Sequence, residues 1–366
     1  MKKQFIKVLT FCAIFAVSAT MLTSCDDDIN NAPEPAIDPV FAPNGAYILN
    51  EGSMGKNNST LDFVSMDNNL TGKVFASVNG EGLGDTGQDI IEYGGRIYVS
   101  VFGSSYIAKL DLNGKLIEKY AFSEEEGQPN HLACTDGNVY VSLYSGKVAK
   151  FDTTSIAQPK GFAKTGSLPE QMSVYGDLLL VTNSSNSYAG KTNDMVSVID
   201  LKTFAPKQEF KLVDNLQSIA VVLDSVYVTY YNADYSISMM NLDIKNTKAY
   251  AVSPATKIAS HGSYLYCANS ATVYDENWNA TTSTTFFKRD TKTGKDSDLL
   301  DLTGCDELKS ATVYLLEVNP YNGDIYVGTS NYVTNGKMYR FGEDGKLIAK
   351  FETSSVNPNN MVFLAK

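Results

Sequence analysis

Short apolar runs separated by turn residues recur along this chain. Between residues 88 and 122 there are four such runs, rich in β-branched and aromatic residues, and the turns at 94–95, 103–105 and 113–114 read Gly-Gly, Gly-Ser-Ser and Asn-Gly. Gly-Gly and Asn-Gly close two-residue hairpins, because both tolerate positive φ. The pattern predicts a four-stranded antiparallel meander, which needs neighbours to bury both of its faces.

The second of these runs, a turn residue followed by an apolar-Tyr-apolar triplet or its equivalent, occurs seven times. The copies begin 38 to 61 residues apart, at Gly45, Gly95, Gly137, Gly176, Asp224, Gly262 and Gly323. Four-stranded units at a period in the forties are typical of a β-propeller. The sequence therefore predicts an all-β fold, a seven-bladed β-propeller of four-stranded antiparallel blades.

The first copy lacks an innermost strand, and the C-terminal tail can supply it. We expect residues 360–365 to pair in blade one with the strand near 47–50 or the strand near 61–66, which closes the ring and removes two exposed sheet edges. The propeller is predicted to be one domain over residues 44–366, because each blade packs only on its two neighbours.

The N-terminal segment has the pattern of a leader. Residues 1–24 have a basic start and an apolar core that is short for a transmembrane helix, and they end in Leu-Thr-Ser before Cys25. This resembles a bacterial lipoprotein signal peptide, in which Cys25 is lipidated; the alternative is a plain signal peptide with an incidental cysteine. Residues 25–43 then form a proline-rich linker after the lipidated cysteine. Its three aspartates at 26–28 resemble the surface-export signal of Bacteroidota lipoproteins, or are simply a solvated linker.

The charge and the cysteines limit the possible partners. The whole chain has a formal net charge of −11, and the leader contributes three lysines and no acid, so the remainder is more acidic still. Such a protein is a poor binder of nucleic acid or of an anionic membrane surface, which leaves the lipid as its only membrane contact. Three cysteines remain in the domain, an odd number that argues against a disulfide framework; Cys134 and Cys267 are expected to be buried in strands.

The turns that enter the innermost strands are expected to surround the mouth of the central channel. Short amides and other polar groups in such a ring suit a neutral ligand rich in amides or hydroxyls. The alternative is that these side chains bond only to backbone at strand starts. The predicted ligand-binding residues from these turns are Gln88, Asp89, Asn130, His131, Gln171 and Gln217.

Aromatic residues in the outer loops of the same face are the second half of the predicted site. A loop aromatic supplies a flat apolar wall with a polar tip, although some of these rings will instead pack between blades. Long loops at 183–193 and 268–285 are expected to rise as walls around the face. The predicted aromatic ligand contacts are Tyr144, Tyr188, Tyr230, Tyr231, Trp278 and Tyr332.

The sequence shows no catalytic constellation and no metal-binding motif. There are two histidines, and His131 is in an entering turn without a nucleophile beside it. The acids at 124–126 are expected to form a solvated loop, with calcium binding as the alternative. We therefore expect a binding protein rather than an enzyme, with no cofactor.

The opening residues 45–55, Gly-Ala-Tyr-Ile-Leu-Asn-Glu-Gly-Ser-Met-Gly, and the segment 57–63 that follows resemble the first blade of a family of Bacteroidota surface-layer or YncE-like propeller lipoproteins. The resemblance extends over residues 45–366. It implies an outer-membrane, cell-surface lipoprotein, and some family members capture cobalamin and pass it to a TonB-dependent transporter. The alternative function is a structural or glycan-adhesion propeller of the envelope.

Overall fold

The computed structural model of the protein describes residues 44–185, 190, 192–232, 236–246, 248–277 and 279–364. Over this part of the chain, seven four-stranded antiparallel sheets follow one another, so the prediction of a seven-bladed β-propeller is confirmed. The predicted leader, Cys25 and the linker lie outside the described residues. No helix among the described residues is long and apolar enough to cross a membrane.

Blades two to four are each built from four consecutive strands. Blade one has three consecutive strands, and its innermost strand comes from the C-terminus. Blade one contains β1 (Gly45–Asn50), β2 (Thr60–Ser65) and β3 (Leu70–Thr71). The short helix α1 (Val74–Asn79) leads into blade two, which contains β4 (Gly87–Glu92), β5 (Ile97–Val101), β6 (Tyr106–Leu110) and β7 (Leu116–Ala121). Blades three and four contain β8 (Pro129–Thr135), β9 (Asn138–Leu143), β10 (Lys147–Asp152), β11 (Gly161–Lys164), β12 (Pro169–Tyr175), β13 (Leu178–Asn183), β14 (Met195–Asp200) and β15 (Ala205–Lys211).

The last three blades are followed by the strand that closes the ring. Blades five and six contain β16 (Leu216–Val222), β17 (Ser225–Tyr231), β18 (Ile237–Asp243), β19 (Lys248–Val252), β20 (Lys257–His261), β21 (Tyr264–Tyr274), β22 (Ala280–Asp290) and β23 (Lys295–Asp298). A 3₁₀ turn over Asp306–Ser310 precedes blade seven. That blade and the closing strand contain β24 (Thr312–Val318), β25 (Ile325–Ser330), β26 (Lys337–Phe341), β27 (Leu347–Glu352) and β28 (Pro358–Phe363).

Two turns of the meander that predicted the fold differ in length. Gly94 and Gly95 both have positive φ and form a two-residue hairpin turn, as the sequence predicted. The predicted two-residue turn at 113–114 is longer, because the chain pairs again only between Asp111 and Lys115, and only Gly114 takes the left-handed conformation. The Asp111 carboxylate accepts two backbone N–H groups inside this loop and thereby favours the longer form.

The prediction of a long loop over residues 268–285 is wrong, because most of this segment is a β-hairpin. Strands β21 and β22 pair continuously over eleven residues each, and their outer halves extend beyond the rest of blade six. The segment contains five threonines, which favour extended backbone even where no apolar face is buried. The hairpin therefore projects from the face that carries the predicted site.

The core is divided into seven clusters of buried apolar side chains, one between each pair of adjacent blades. The tyrosine of the repeated triplet lies in these clusters at 0 to 5% exposure, and Leu180 takes its place in blade four. Each tyrosine ring packs against the following blade. The tyrosine therefore recurs in the sequence because each of these blades needs it to pack on its neighbour. The six buried tyrosines are Tyr47, Tyr98, Tyr140, Tyr227, Tyr266 and Tyr326.

The ring is closed by the C-terminal strand, as the sequence predicted. Strand β28 pairs antiparallel with β1, from Ala46 opposite Phe363 to Asn50 opposite Pro358, and becomes the innermost strand of blade one. Of the two partners expected from the sequence, the strand near 47–50 is the one that pairs. Blade one is therefore built from both ends of the domain.

A buried carboxylate fixes the segment that leads into β28. Asp62 on β2 is fully buried and accepts hydrogen bonds from Asn50 Nδ2 (2.9 Å), from the Lys73 backbone N–H (2.9 Å), and from both the backbone N–H (2.7 Å) and the hydroxyl of Ser354. These donors come from β1, from the start of α1 and from the closing segment. Asp62 therefore holds three separate pieces of chain at the junction of blades seven and one.

On the opposite side of the same junction, an arginine links blade seven to blade one. Arg340 on β26 binds Asp324 through Nε and Nη2 at 2.8 and 2.6 Å, and its Nη1 donates to the Met66 carbonyl and to Asn68 Oδ1. Both charged side chains are about nine-tenths buried, and four of the five arginine N–H groups have an acceptor. A buried pair with its hydrogen bonds filled is costly to break by removing one partner.

Deleting residues 359–366 should prevent formation of a soluble monomer, because blade one then lacks its innermost strand and the ring stays open. Size-exclusion chromatography and thermal unfolding of the purified chain measure the effect. A synthetic peptide of residues 356–366, added during refolding, should restore the monomer. A truncated protein with an unchanged melting temperature would contradict this closure.

Replacing Asp62 by Ala should lower the free energy of unfolding by about 2–4 kcal/mol, because four hydrogen-bond donors lose their acceptor. Chemical denaturation of Asp62→Ala measures the loss. The matched control is Asp67→Ala, since Asp67 is exposed and its carboxylate makes no hydrogen bond within the described residues. Equal stability of the two variants would show that the Asp62 contacts contribute nothing.

Candidate functional site

The predicted polar residues do surround the mouth of the channel, and most of them lie at β-bulges. The pairing register shifts at the first residues of β4, β8, β12, β16 and β28. A bulge leaves one residue unpaired and redirects its side chain. Each blade that has a bulge therefore presents extra polar groups at the same end of its innermost strand.

The bulges are held in place by hydroxyl groups of the preceding blade. Ser100 Oγ donates to the Asn130 carbonyl (2.5 Å), Ser142 Oγ to the Glu170 carbonyl (2.9 Å) and Thr182 Oγ1 to the Gln217 carbonyl (2.6 Å). Sequence reasoning missed these hydroxyls. The signal was present, since a Ser or Thr follows two residues after the buried tyrosine or leucine in these repeats.

Asp89 connects three blades at the mouth. Its Oδ2 accepts from the Leu132 N–H at 2.8 Å and lies 3.2 Å from His131 Nδ1, while its Oδ1 accepts from Asn360 Nδ2. Burial opposes protonation of His131, but the hydrogen bond and the charge of Asp89 outweigh it and raise the pKa of the imidazole. Asp89 and His131 were predicted as ligand contacts, and the structure brings them together as a bridge between blades.

The side-chain amides predicted to bind a ligand differ in how many hydrogen bonds they already make within the protein. Gln171 Oε1 accepts from the Ile219 N–H at 3.0 Å, and Gln217 Nε2 donates to Asn215 Oδ1 at 3.0 Å. Asn130 donates to the Pro169 carbonyl and to Glu170, while its Oδ1 is buried without a hydrogen bond among the described residues. Gln88 is partly exposed, and its side-chain amide makes no hydrogen bond within the described chain.

Two tyrosine–carboxylate pairs lie at the mouth. Tyr144 donates to Glu170 Oε1 at 2.8 Å, and Ser184 donates to the same oxygen at 2.8 Å. Tyr314 donates to Glu51 in the same way. Burial raises the pKa of both tyrosines, and the neighbouring carboxylates raise it further, so both hydroxyls stay protonated and donating. Glu51 and Tyr314 were missed, although Glu51 stands in the opening motif.

The adjacent residues Tyr230 and Tyr231 have different environments. Tyr230 is opposite Leu216 and packs against the apolar cluster between blades four and five. Tyr231 is half-buried at the mouth, where burial and then the charge of Glu170 raise the pKa of its hydroxyl. Strand residues alternate between faces, so two neighbouring tyrosines cannot share one role.

Tyr332 is the exposed aromatic of the predicted set. It is 59% exposed, and its ring packs edge-on against Tyr314 with centroids 5.8 Å apart. Tyr144 packs in the same manner on Phe102 at 5.0 Å. The predicted contacts Tyr188 and Trp278 lie outside the described residues.

Lys257 at the start of β20 and Glu317 on β24 belong to the adjacent blades six and seven and interact electrostatically. Lys257 Nζ lies 5.0 Å from the Tyr314 ring centroid, and burial lowers its pKa against the opposing charges of Glu51 and Glu317. Burial and the charge of Asp89 raise the pKa of Glu317 to about 8, against the effect of Lys257. Neither side chain makes a hydrogen bond within the described residues, so both keep hydrogen-bonding capacity for water or a ligand.

The structure also shows the environment of the three cysteines and of the acidic segment 124–126. Cys134, Cys267 and Cys305 are free thiols; the first two lie in strands as expected, but of these two only Cys267 is fully buried, whereas Cys134 is partly exposed. Glu126 accepts from the Ser123 N–H and from the Tyr120 hydroxyl. Among the described residues, no group of three or more His, Cys, Asp or Glu is arranged to hold a metal ion.

The fold defines the class of protein, a seven-bladed β-propeller of four-stranded antiparallel blades. Residues 44–363 match the family described as "Domain of unknown function (DUF5074)", and the chain therefore belongs to that family. No curated protein matches the sequence. The assignment to a cobalamin-capturing group is finer than this match and is part of the proposal below.

Solved structures similar to this chain share the propeller fold at low sequence identity. Hydrazine synthase of Kuenenia stuttgartiensis is 14% identical, with a TM-score of 0.59 over 75% of this chain and 88% of that chain. The computationally designed Ika8 protein is 10% identical, with a TM-score of 0.50 over 74% and 88%. AztD from Citrobacter koseri is 12% identical, with a TM-score of 0.48 over 87% and 97%. At these identities the likeness concerns the fold alone.

Stability should depend on the protonation of Glu317. An unfolded glutamate titrates near about 4.3, so a folded pKa of about 8 means that the folded state binds the proton more tightly. Stability should therefore fall as the pH rises from about 4 to about 8. In Glu317→Gln this fall should be reduced, and the variant should be more stable at pH 8, by an amount on the order of 2 kcal/mol.

Melting temperatures of wild type and Glu317→Gln between pH 5 and pH 9 test this expectation. Glu352→Gln is the control, since Glu352 is exposed on an outer strand and should keep the wild-type profile. Identical pH profiles in all three proteins would mean that Glu317 stays ionised in the fold.

Proposed function

We propose that this protein is a cell-surface lipoprotein that binds a corrinoid, cobalamin, at the mouth of its channel without chemical conversion. The family resemblance at residues 45–55 motivates the ligand. The observation that carries the proposal is the ring of polar and aromatic groups fixed before any ligand arrives, with Glu51 and Glu170 each bonded by a tyrosine. A preformed site binds a large rigid ligand with little ordering cost.

The chemistry of the mouth suits a flat ligand with amides on its rim. The carboxylates of Glu51 and Glu170 accept N–H donors, and the amide of Gln88 can donate to or accept from a ligand. Tyr231 and Tyr332 supply aromatic surface beside these groups, which excludes water and strengthens the polar contacts. A glycan would need the same polar groups, but it offers fewer N–H donors to the carboxylates.

The lipid anchor and the transporter complete the proposal. Cys25 is proposed to carry the lipid, and the acidic segment after it to direct the protein to the outer face of the outer membrane. A TonB-dependent transporter is the proposed partner that receives the ligand. The hairpin β21–β22 is suited to contact such a partner, because it projects beyond the mouth.

The second candidate is a structural or adhesion protein of the envelope. Exposed apolar side chains on the projecting elements favour it: Val273 is 65% exposed, Tyr274 is 61% exposed and Val333 is 80% exposed. Exposed apolar side chains concentrated on one face are typical of an interaction surface. Deleting the gene separates the two functions, since only cobalamin capture predicts slower growth on limiting cobalamin.

Isothermal titration of the protein with cyanocobalamin should show binding, and Tyr231→Ala should weaken it about tenfold or more, which corresponds to about 1.4 kcal/mol. The matched control is Tyr250→Ala, because Tyr250 is 54% exposed on the outer strand β19, away from the mouth. Tyr230→Ala should instead lower the melting temperature and leave the affinity per folded molecule unchanged. No heat and no retained pink colour in the wild type would discard cobalamin as the ligand.

A further inference from the structure

A groove of about 530 Å³ lies outside the mouth, where blades one and seven meet. Its walls are the loop between β1 and β2, the start of α1 and the loop between β25 and β26, and its floor is the segment 354–356. None of the mouth residues described above lines it. The groove is therefore a separate cavity, in the size range of small-molecule sites.

One side of the groove is apolar and the other is polar. The apolar side is lined by Phe75, Leu83 and Val356, which are almost fully buried, and by the exposed Val333. Asn57 and Asn335 bring exposed amides to the rim. A cavity with an apolar wall and facing amides is suited to a sugar ring, which has an apolar C–H face and a rim of hydroxyl groups.

The polar side chains of the floor already make hydrogen bonds within the protein, whereas three polar side chains of the rim make none within the described residues. Ser354 Oγ donates to Asp62 and lies 3.1 Å from Thr60 Oγ1, and Ser355 Oγ donates to the Asn58 carbonyl at 2.9 Å. The side chains that keep their full hydrogen-bonding capacity within the described residues are those of Asn57, Lys73 and Asn335. They come from three different loops, and all three border the same cavity.

Two of these rim residues have a costly backbone conformation. Asn57 has φ +52° and Lys73 has φ +55°. Asn tolerates this region, but a lysine adopts it rarely, and strained residues of this kind concentrate at functional sites. The Lys73 N–H is bonded to the buried Asp62, which holds the residue in this conformation beside the groove.

The charge of the groove selects the class of ligand. Lys73 is the one charged residue among those that line it, and it forms no ion pair within the described residues. A single unpaired lysine in a protein of net charge −11 favours a ligand with one negative charge. A phosphate would need more donors than one lysine provides.

From this geometry we propose that the groove binds an acidic sugar, a pyranose that carries one carboxylate, such as a hexuronate. Its carboxylate pairs with Lys73, its hydroxyls bond to Asn57 and Asn335, and its C–H face lies against Val333. The ligand touches the closing segment as well as blade one, so its binding stabilises the closed ring. Occupancy therefore raises the melting temperature.

The test is titration of the full chain with glucuronate and galacturonate, followed by ligand-observed NMR and by the melting temperature, with glucose as the neutral control. We expect at least one uronate to bind at least tenfold more tightly than glucose and to raise the melting temperature. Lys73→Gln should lose that difference and should keep the wild-type melting temperature without ligand. Lys56→Gln is the matched control, since Lys56 is exposed next to the rim residue Asn57 and does not itself line the groove.

A short oligogalacturonide distinguishes a free sugar from the end of a polysaccharide, because a chain end should bind more tightly only if the groove continues a longer track. No binding of either uronate, or uronate binding that survives Lys73→Gln, overturns the proposal. Cyanocobalamin affinity should be the same in wild type and Lys73→Gln, so failure of this site and failure of the mouth site are separable.

Discussion

Closure of the ring by β28 is the constraint on which the whole structure depends. Each blade buries both of its faces against neighbours, and the apolar cluster between blades seven and one forms only if these two blades meet. Pairing of β28 with β1 joins the two ends of the domain. Asp62 and Arg340 then fix this junction from its two sides, through donors and acceptors nearly 300 residues apart in sequence.

The same closure positions part of the mouth. Asn360 reaches Asp89 only because β28 lies beside blade two, and Asp89 in turn holds His131 and the start of blade three. Side chains used in this way stabilise the scaffold and have little capacity left for a ligand. Gln88, Lys257 and Glu317 differ from them, because their polar groups make no hydrogen bond within the described residues. Fewer polar side chains at the mouth are thus available to a ligand than lie around it.

The fold could be predicted from the sequence, whereas the candidate site could be predicted only in outline. The turn glycines and the recurring tyrosine mark the strands of each blade and can be recognised in short stretches of sequence. Counting these strands shows that blade one lacks one strand, which the C-terminal segment can supply. The roles of individual side chains depend on the bulges, which shift the register and cannot be read from local alternation. The contrast between Tyr230 and Tyr231 is an example, since the same pattern places one ring in the core and the other at the mouth. Glu51 and Tyr314 pair across 263 residues, a contact that no local pattern indicates.

The distribution of charge separates the two proposed sites on one face of the propeller. The described mouth residues include the acceptor carboxylates of Glu51, Asp89 and Glu170, so the mouth favours neutral ligands or N–H donors and disfavours anions. The groove has one lysine and no other charged residue in its lining, so it favours an anion. Opposite preferences keep the two kinds of ligand from competing, although both sites are built on the same closed junction. A ligand in the groove would stabilise the junction that positions Asn360 and Asp89, and any effect on the mouth would then act through stability rather than through shared contacts.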